Sequence, residues 1–156
     1  MKVLLTVDEP SYAKAIAEFV SNHKWEADTE FEVMSVVEPL KVGNVAAVLP
    51  GPLLDDWMKD RQETAERLVE DTVRTISKVV AKDKIKKHIV EGWPSEAIMK
   101  EITITKPDML IVGSHGRHGI DRIILGSVSL FLVAHAPCSV IVVRPKEVNA
   151  KEEKVA

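Results

Sequence analysis

The sequence has a single cysteine, Cys138, so the chain cannot form a disulfide within itself. This favours a reducing compartment, because structural disulfides accumulate in oxidising ones. No apolar run approaches the roughly 18 residues that a membrane helix needs. The apolar stretch that follows Lys2 is also too short for the core of a signal peptide. We therefore expect a cytoplasmic protein that does not contact membranes.

The chain also lacks an excess of positive charge. Its formal net charge is -3, which gives no electrostatic footprint for nucleic acid. A length of 156 residues favours one domain with a sizeable core. We expect that domain to span residues 1–145, because residues 146–156 are mostly charged or small and are typical of a disordered tail.

The usual nucleotide-binding and catalytic motifs are missing as well. Neither G-x-G-x-x-G nor G-x-x-x-x-G-K-[ST] occurs, and no lysine lies between Lys106 and Lys146 to contact the β- and γ-phosphates of a nucleotide. Ser127 and Ser129 have no His/Asp pair at a recognisable spacing, so nucleophilic catalysis is not indicated. We assign no catalytic residue from the sequence.

Five apolar runs alternate with helical patterns along the chain. They are Lys2–Val7, Phe31–Val37, Ile85–Val90, Asp108–Val112 and Ser139–Val143. We interpret them as continuous apolar runs without polar alternation, which is typical of strands in a parallel sheet that is covered on both faces. A long amphipathic helix is predicted from about Leu54 to Val80, and a short apolar one from Val128 to Ala134. The pattern predicts an α/β fold with a doubly wound parallel sheet and helices on both faces.

Four of the seven glycines follow the fourth predicted strand: Gly113, Gly116, Gly119 and Gly126. Glycine lets the backbone approach a ligand closely, and successive N–H groups in such turns can bind an anion. Gly126-Ser127-Val128-Ser129 opens the short apolar helix, whose first N–H groups are suited to phosphate. In this fold, ligands bind at the carboxyl ends of the strands, so Val7-Asp8 and Val112-Gly113 should share one cleft.

The same stretch carries a local positive charge from Arg117, Arg122 and the histidines His115 and His118. The two histidines could bind a metal or act in acid–base catalysis, but we favour histidines that lie beside a phosphate or are exposed in a loop. No metal site is predicted. A connection from Leu40 to Pro52 is long for a compact domain and is a candidate for an element that responds to a ligand. Cys138 is expected to be inert.

These residues resemble the nucleotide-binding branch of the universal stress protein family. The branch carries G-x-x-G, nine further residues and then G-[ST], here Gly113-Ser-His-Gly116 followed, after Arg117 to Leu125, by Gly126-Ser127. The resemblance extends from Met1 to about Pro145. It includes Val36-Val37-Glu38-Pro39, Gly92-Trp93-Pro94 and the closing Ala136–Pro145.

The resemblance implies a five-stranded parallel sheet in the order 3-2-1-4-5, of the adenine nucleotide alpha hydrolase-like type. It also implies that the protein binds ATP, with Mg²⁺, and forms a homodimer through the edge strand Ser139–Val143. Carried over by position, the nucleotide-binding residues are Asp8 and Val36 near the ribose and adenine, Val112 and Gly113 at the end of strand four, and Gly116, Gly126, Ser127, Val128 and Ser129 at the phosphates. Arg117 adds charge beside them.

One position departs from the family pattern. Asp8 is followed by Glu9 and Pro10, where family members usually have small residues. A second carboxylate would repel a polyphosphate unless Mg²⁺ lies between them or Glu9 points away. Three functions follow from the sequence: a regulatory ATP-binding protein of the stress response, which we favour, a slow ATPase or phosphotransferase, and a nucleotide-free dimeric scaffold.

Overall fold

The computed structural model describes residues 1–39, 51–115 and 125–145. Most of the predicted Leu40–Pro52 connection, the predicted tail, and the residues Gly116, Arg117 and His118 lie outside these ranges. The described helices are α1 (Pro10–Asn22), α2 (Gly51–Ile76), α3 (Pro94–Thr105) and α4 (Ser127–His135), with a 3-10 turn at Lys82–Lys84. The strands are β1 (Lys2–Thr6), β2 (Glu30–Val37), β3 (Ile85–Glu91), β4 (Met109–Gly113) and β5 (Ser139–Val143).

The five strands form one sheet in the order β3-β2-β1-β4-β5, and every neighbouring pair is parallel. The α/β class and the strand order are therefore confirmed. Because β1 and β4 are neighbours, with Thr6 opposite Val112, their carboxyl ends meet at the same edge of the sheet. The residues that follow both strands are thereby brought together.

Alternate residues of each strand pack on opposite faces of the sheet, so the core has two layers. On one face, Leu5 and Val33 pack in the same cluster as Ile16 of α1 and Leu68 of α2. On the other, the cluster includes Leu4, Met34 and Leu110 with residues of α3 and α4. All seven of these side chains are buried.

The beginning of α2 differs from the prediction. Gly51 and Pro52, which we placed in the preceding connection, form its first turn. Proline is accepted there because the N–H that it lacks would have no helical partner at the first positions of a helix. Among the described helices, none combines the length and the apolar character needed to cross a bilayer.

Candidate functional site

A cavity of about 190 Å³ opens at the carboxyl ends of β1 and β4. Eight of the ten residues that the sequence predicts for nucleotide binding line it: Asp8, Val36, Val112, Gly113, Gly126, Ser127, Val128 and Ser129. The other two, Gly116 and Arg117, lie outside the described residues. The parallel sheet gathers the eight from four separate parts of the chain, because the carboxyl ends of neighbouring parallel strands meet at one edge of the sheet.

One wall of the cavity is apolar. Met34 and Val36 of β2 and Ile98 of α3 line it, and all three side chains are buried in the same hydrophobic cluster. Val112, at the end of β4, continues this surface. A flat apolar ring would bury its faces here without leaving polar groups of the wall unsatisfied.

The N-terminus of α4 forms another part of the lining. Its first residues are Ser127, Val128 and Ser129, and the N-cap is Gly126, whose N–H donates to the carbonyl of Ser114 over 2.7 Å. Within the described ranges, no side chain caps this helix. The first N–H groups of a helix lack intrahelical acceptors and carry partial positive charge. These groups border the cavity and can donate to an anion.

Ser129 has a more structural role than the sequence indicated. Its hydroxyl is buried and donates to the carbonyl of Gly113 over 2.6 Å, which ties α4 to the end of β4. The hydroxyl proton of Ser129 is therefore already used in a hydrogen bond within the protein. Of the two donors of Ser129, only the backbone N–H remains available for the phosphate contact that we expected. Ser127 is exposed, so its hydroxyl remains accessible from solvent.

Gly113 also has a packing role. A Cβ at this position would lie 3.0 Å from Cβ, Cγ and Cδ1 of Tyr12 in α1. That separation is closer than two carbon atoms pack comfortably. We expected this glycine to allow close approach of a ligand, but its close neighbour in the described structure is the aromatic side chain of Tyr12.

Glu9 points away from the cavity, so its carboxylate does not stand in the cleft beside Asp8. Glu9 is the N-cap of α1, and its side chain accepts from the N–H of Ser11 over 3.2 Å and from the N–H of Tyr12 over 3.3 Å. It also accepts from the hydroxyl of Ser11. The negative charge thus lies on the positive end of α1, where it stabilises the helix.

His115 is buried at the cavity rather than exposed in a loop. Its Nδ1 lies 3.2 Å from the hydroxyl of Ser114 and 3.4 Å from that of Tyr12. Its Nε2 has no hydrogen-bond partner in the part of the chain that the structure describes, although the side chain is only 7% exposed and lines the cavity. If a hydroxyl donates to Nδ1, the proton of the neutral ring lies on Nε2, which then becomes a donor.

Two charged residues of the lining were not singled out from the sequence. Arg61 of α2 contributes a guanidinium, which also lies 4.8 Å from the centre of the Trp57 ring. Glu38, the residue that directly follows β2, contributes a carboxylate. Arg61 belongs to a helix that is distant in sequence from the glycine stretch, and its position on an amphipathic helix gives no sign that it faces a ligand cavity.

Cys138 precedes β5 and is half-buried. Burial raises the pKa of its thiol. The thiol therefore stays protonated at neutral pH, which agrees with the expectation of an inert side chain.

Comparison with known proteins places this geometry in a family. The model of the "Universal stress protein family" matches residues 1–144. A universal stress protein of Thermus aquaticus is 28% identical over 142 residues, which cover 91% of this chain and 97% of that relative. A universal stress protein of Methanocaldococcus jannaschii is 26% identical over 149 residues, covering 94% of this chain and 84% of the relative.

Solved structures share the fold. UspA of Lactobacillus plantarum has a TM-score of 0.74 at 22% identity, covering 92% of this chain and 97% of its own. An Arabidopsis thaliana family protein with AMP bound has a TM-score of 0.65 at 22% identity, covering 97% of this chain and 94% of its own. A universal stress protein of Archaeoglobus fulgidus in complex with dAMP has a TM-score of 0.60 at 14% identity, covering 92% and 97%. The chain belongs to the universal stress protein family.

Proposed function

We propose that this protein binds ATP, with Mg²⁺, in the cavity at the ends of β1 and β4, and that the nucleotide acts as a regulatory ligand. The observation that carries the proposal is the uncapped N-terminus of α4 facing the same cavity as an apolar wall. A nucleotide needs both surfaces, one for the base and one for the phosphates. Family relatives that are complexes with AMP and dAMP support an adenine base.

The two ends of the cavity suggest the orientation of the nucleotide. The adenine would pack against Val36, Met34 and Ile98, with the ribose beside Asp8. The phosphates would accept hydrogen bonds from the N–H groups of Ser127, Val128 and Ser129. Gly116 and Arg117 would complete the phosphate site, as the spacing of the glycine motif implies.

The charges that line the cavity favour a metal-bound polyphosphate. Asp8 and Glu38 bring two carboxylates to the lining, and Arg61 brings one cation. Carboxylates repel free ATP, whereas Mg²⁺ is typically bound by one or two carboxylates together with the phosphates of a substrate. The buried Nε2 of His115 offers a further donor to a phosphate oxygen. When bound, Mg²⁺ would reduce the negative charge of the phosphates.

The variant Ser127→Asp tests the phosphate site directly. A carboxylate in the first turn of α4 would stabilise the helix by about 0.3–1 kcal/mol, because it complements the helix dipole. The same carboxylate would repel the phosphates, and we expect the affinity for Mg-ATP to fall at least about tenfold, which is about 1.4 kcal/mol. The dissociation constant would be measured by isothermal titration calorimetry, with folding followed by thermal denaturation.

Ala27→Asp is the matched control. Ala27 is exposed in the segment that leads into β2, at the opposite end of the strands, and the substitution changes the net charge equally. The control should bind Mg-ATP like the wild type. Unchanged affinity in Ser127→Asp would show that the phosphates do not lie at α4.

We also propose that the protein forms a homodimer through β5. This strand is an edge of the sheet, and three large apolar side chains on the neighbouring helix α4 are exposed: Leu130, Phe131 and Val133. An apolar strand at a sheet edge is prone to pair with another chain unless it is covered. A second copy of the chain would cover both features. Nucleotide binding could then influence assembly, if the monomer and the dimer bind ATP with different affinities.

A further inference from the structure

A second group of chemically active side chains lies apart from the cavity. Glu32 of β2, His88 of β3 and Glu101 of α3 meet on the face of the sheet that α3 covers. Sheet register explains the meeting: Met34 lies opposite His88, so Glu32 is the preceding residue of β2 on the same face. None of the three residues lines the cavity at the strand ends.

The distances suit coordination of one ion. His88 Nδ1 lies 3.2 Å from a carboxylate oxygen of Glu32 and 3.7 Å from one of Glu101. All three ligand atoms lie within 4.8 Å of one another. For a metal about 2.1 Å from each atom, the two shorter separations correspond to angles of about 100° and about 125° at the metal. Two atoms bound to the same metal at this distance lie at most about 4.2 Å apart, so the two glutamate oxygens must also stand within that separation when the ion is bound.

The burial of Glu101 provides the second argument. The residue is only 6% exposed, and within the described ranges the nearest charged partner of its carboxylate is the His88 nitrogen at 3.7 Å. A carboxylate with so little access to water needs a positive charge beside it. One imidazole cannot neutralise the charges of both glutamates, because it carries at most one positive charge and the two carboxylates carry two negative charges. A divalent cation would neutralise both carboxylates without a contribution from the imidazole.

We propose that Glu32, His88 and Glu101 bind a divalent transition-metal ion, with Zn²⁺ as the expected ion. An imidazole nitrogen with two carboxylate oxygens is a donor set that zinc accepts, with water in the fourth position. Mg²⁺ and Ca²⁺ prefer oxygen ligands alone and higher coordination numbers. His88 is the most exposed of the three side chains, at 37%, so the ion and its water would reach the site from that side.

Zinc binding by the full-length protein tests the proposal. Protein stripped with a chelator and then freed of it would be titrated with ZnCl₂ in a calorimeter, and with CoCl₂ while the visible absorption of tetrahedral cobalt is recorded. We expect one tight zinc ion per chain, and a much weaker response to MgCl₂. Absence of zinc binding by the wild type would overturn the proposal.

Two variants locate the ion. His88→Ala removes a ligand, and Glu101→Gln removes a charge while keeping the shape of the side chain. Each should lower the zinc affinity at least about tenfold, since changes even to residues behind metal ligands cost that much. Far-UV circular dichroism would verify folding, and Glu32→Gln replaces any variant that fails to fold.

His23→Ala is the matched control, because His23 is an exposed histidine whose Nδ1 contacts the carbonyl of Phe19. It should bind zinc like the wild type. Equal zinc affinity in folded His88→Ala or Glu101→Gln would place the ion elsewhere and overturn the assignment.

Discussion

At the scale of single residues, the contacts of Glu9 decide whether its charge affects the nucleotide site. Because Glu9 follows Asp8 in the sequence, we expected its carboxylate to repel a polyphosphate. In the structure that carboxylate accepts hydrogen bonds from two backbone N–H groups of α1, and Asp8 lines the cavity whereas Glu9 does not. A carboxylate two residues before a serine can cap a helix or face a ligand, and the sequence alone did not decide between them.

Gly113 allows a prediction about stability at the same scale. Gly113→Ala should destabilise the protein by about 1–3 kcal/mol, because the new methyl group would press on Tyr12 in a packed region. The free energy of unfolding would be measured by urea denaturation. Gly51→Ala is the control: a Cβ there meets nothing within 4 Å, so its stability should be unchanged or slightly higher. Wild-type stability in Gly113→Ala would refute the packing role.

The contact between Gly113 and Tyr12 makes Gly113→Ala unsuitable as a test of the nucleotide site. Gly113→Ala would weaken ATP binding through the position of Tyr12 and β4 even if the glycine never touched the ligand. Ser127→Asp separates the two effects, because it is expected to raise stability and lower affinity at once.

At the scale of elements, strand β5 carries the prediction on assembly. The N–H of Ser139 donates to Asp108 and the carbonyl of Val143 accepts from Ser114, so the odd-numbered residues of β5 pair with β4. Along a strand these groups alternate in direction, so the N–H of Val142 points to the open edge. Val142→Pro should therefore remove an edge donor without breaking the pairing with β4.

We expect Val142→Pro to shift a wild-type dimer towards monomer in analytical ultracentrifugation. Val142→Thr is the control, because it keeps both the N–H and a β-branched side chain, and it should stay dimeric. A wild type that is monomeric at all concentrations tested, or a folded Val142→Pro that stays fully dimeric, would argue against pairing through β5.

The elements also show what the sequence was able to predict. The bounds of β5 were predicted without error, because a continuous apolar run ends at Arg144-Pro145. The start of α2 was wrong, since Gly51 and Pro52 are as typical of a loop as of a helix's first turn. The sequence did not predict the position of Arg61 at the cavity or the group formed by Glu32, His88 and Glu101. The packing of α2 and α3 on the sheet brings these side chains to their sites, and the spacing of residues along the chain carries no signal for such packing.

At the scale of the whole molecule, the fold explains why a chain without the usual nucleotide motifs has a cleft suited to a nucleotide. The order β3-β2-β1-β4-β5 makes β1 and β4 neighbours, and their carboxyl ends meet α4 at one cavity. The helix N-terminus offers the backbone donors that a P-loop provides elsewhere. The cluster around His88 lies on the same side of the sheet as α3 but outside this cleft, so the two proposed sites are separate.

The most direct test of the nucleotide proposal is to identify what the purified protein carries. The protein would be purified without added nucleotide and denatured, and any released small molecule identified by chromatography and mass spectrometry. We predict ATP in an amount approaching one molecule per chain, or, where purification removes it, binding of added Mg-ATP. A protein that releases no adenine nucleotide and does not bind added Mg-ATP would contradict the account and favour the scaffold function.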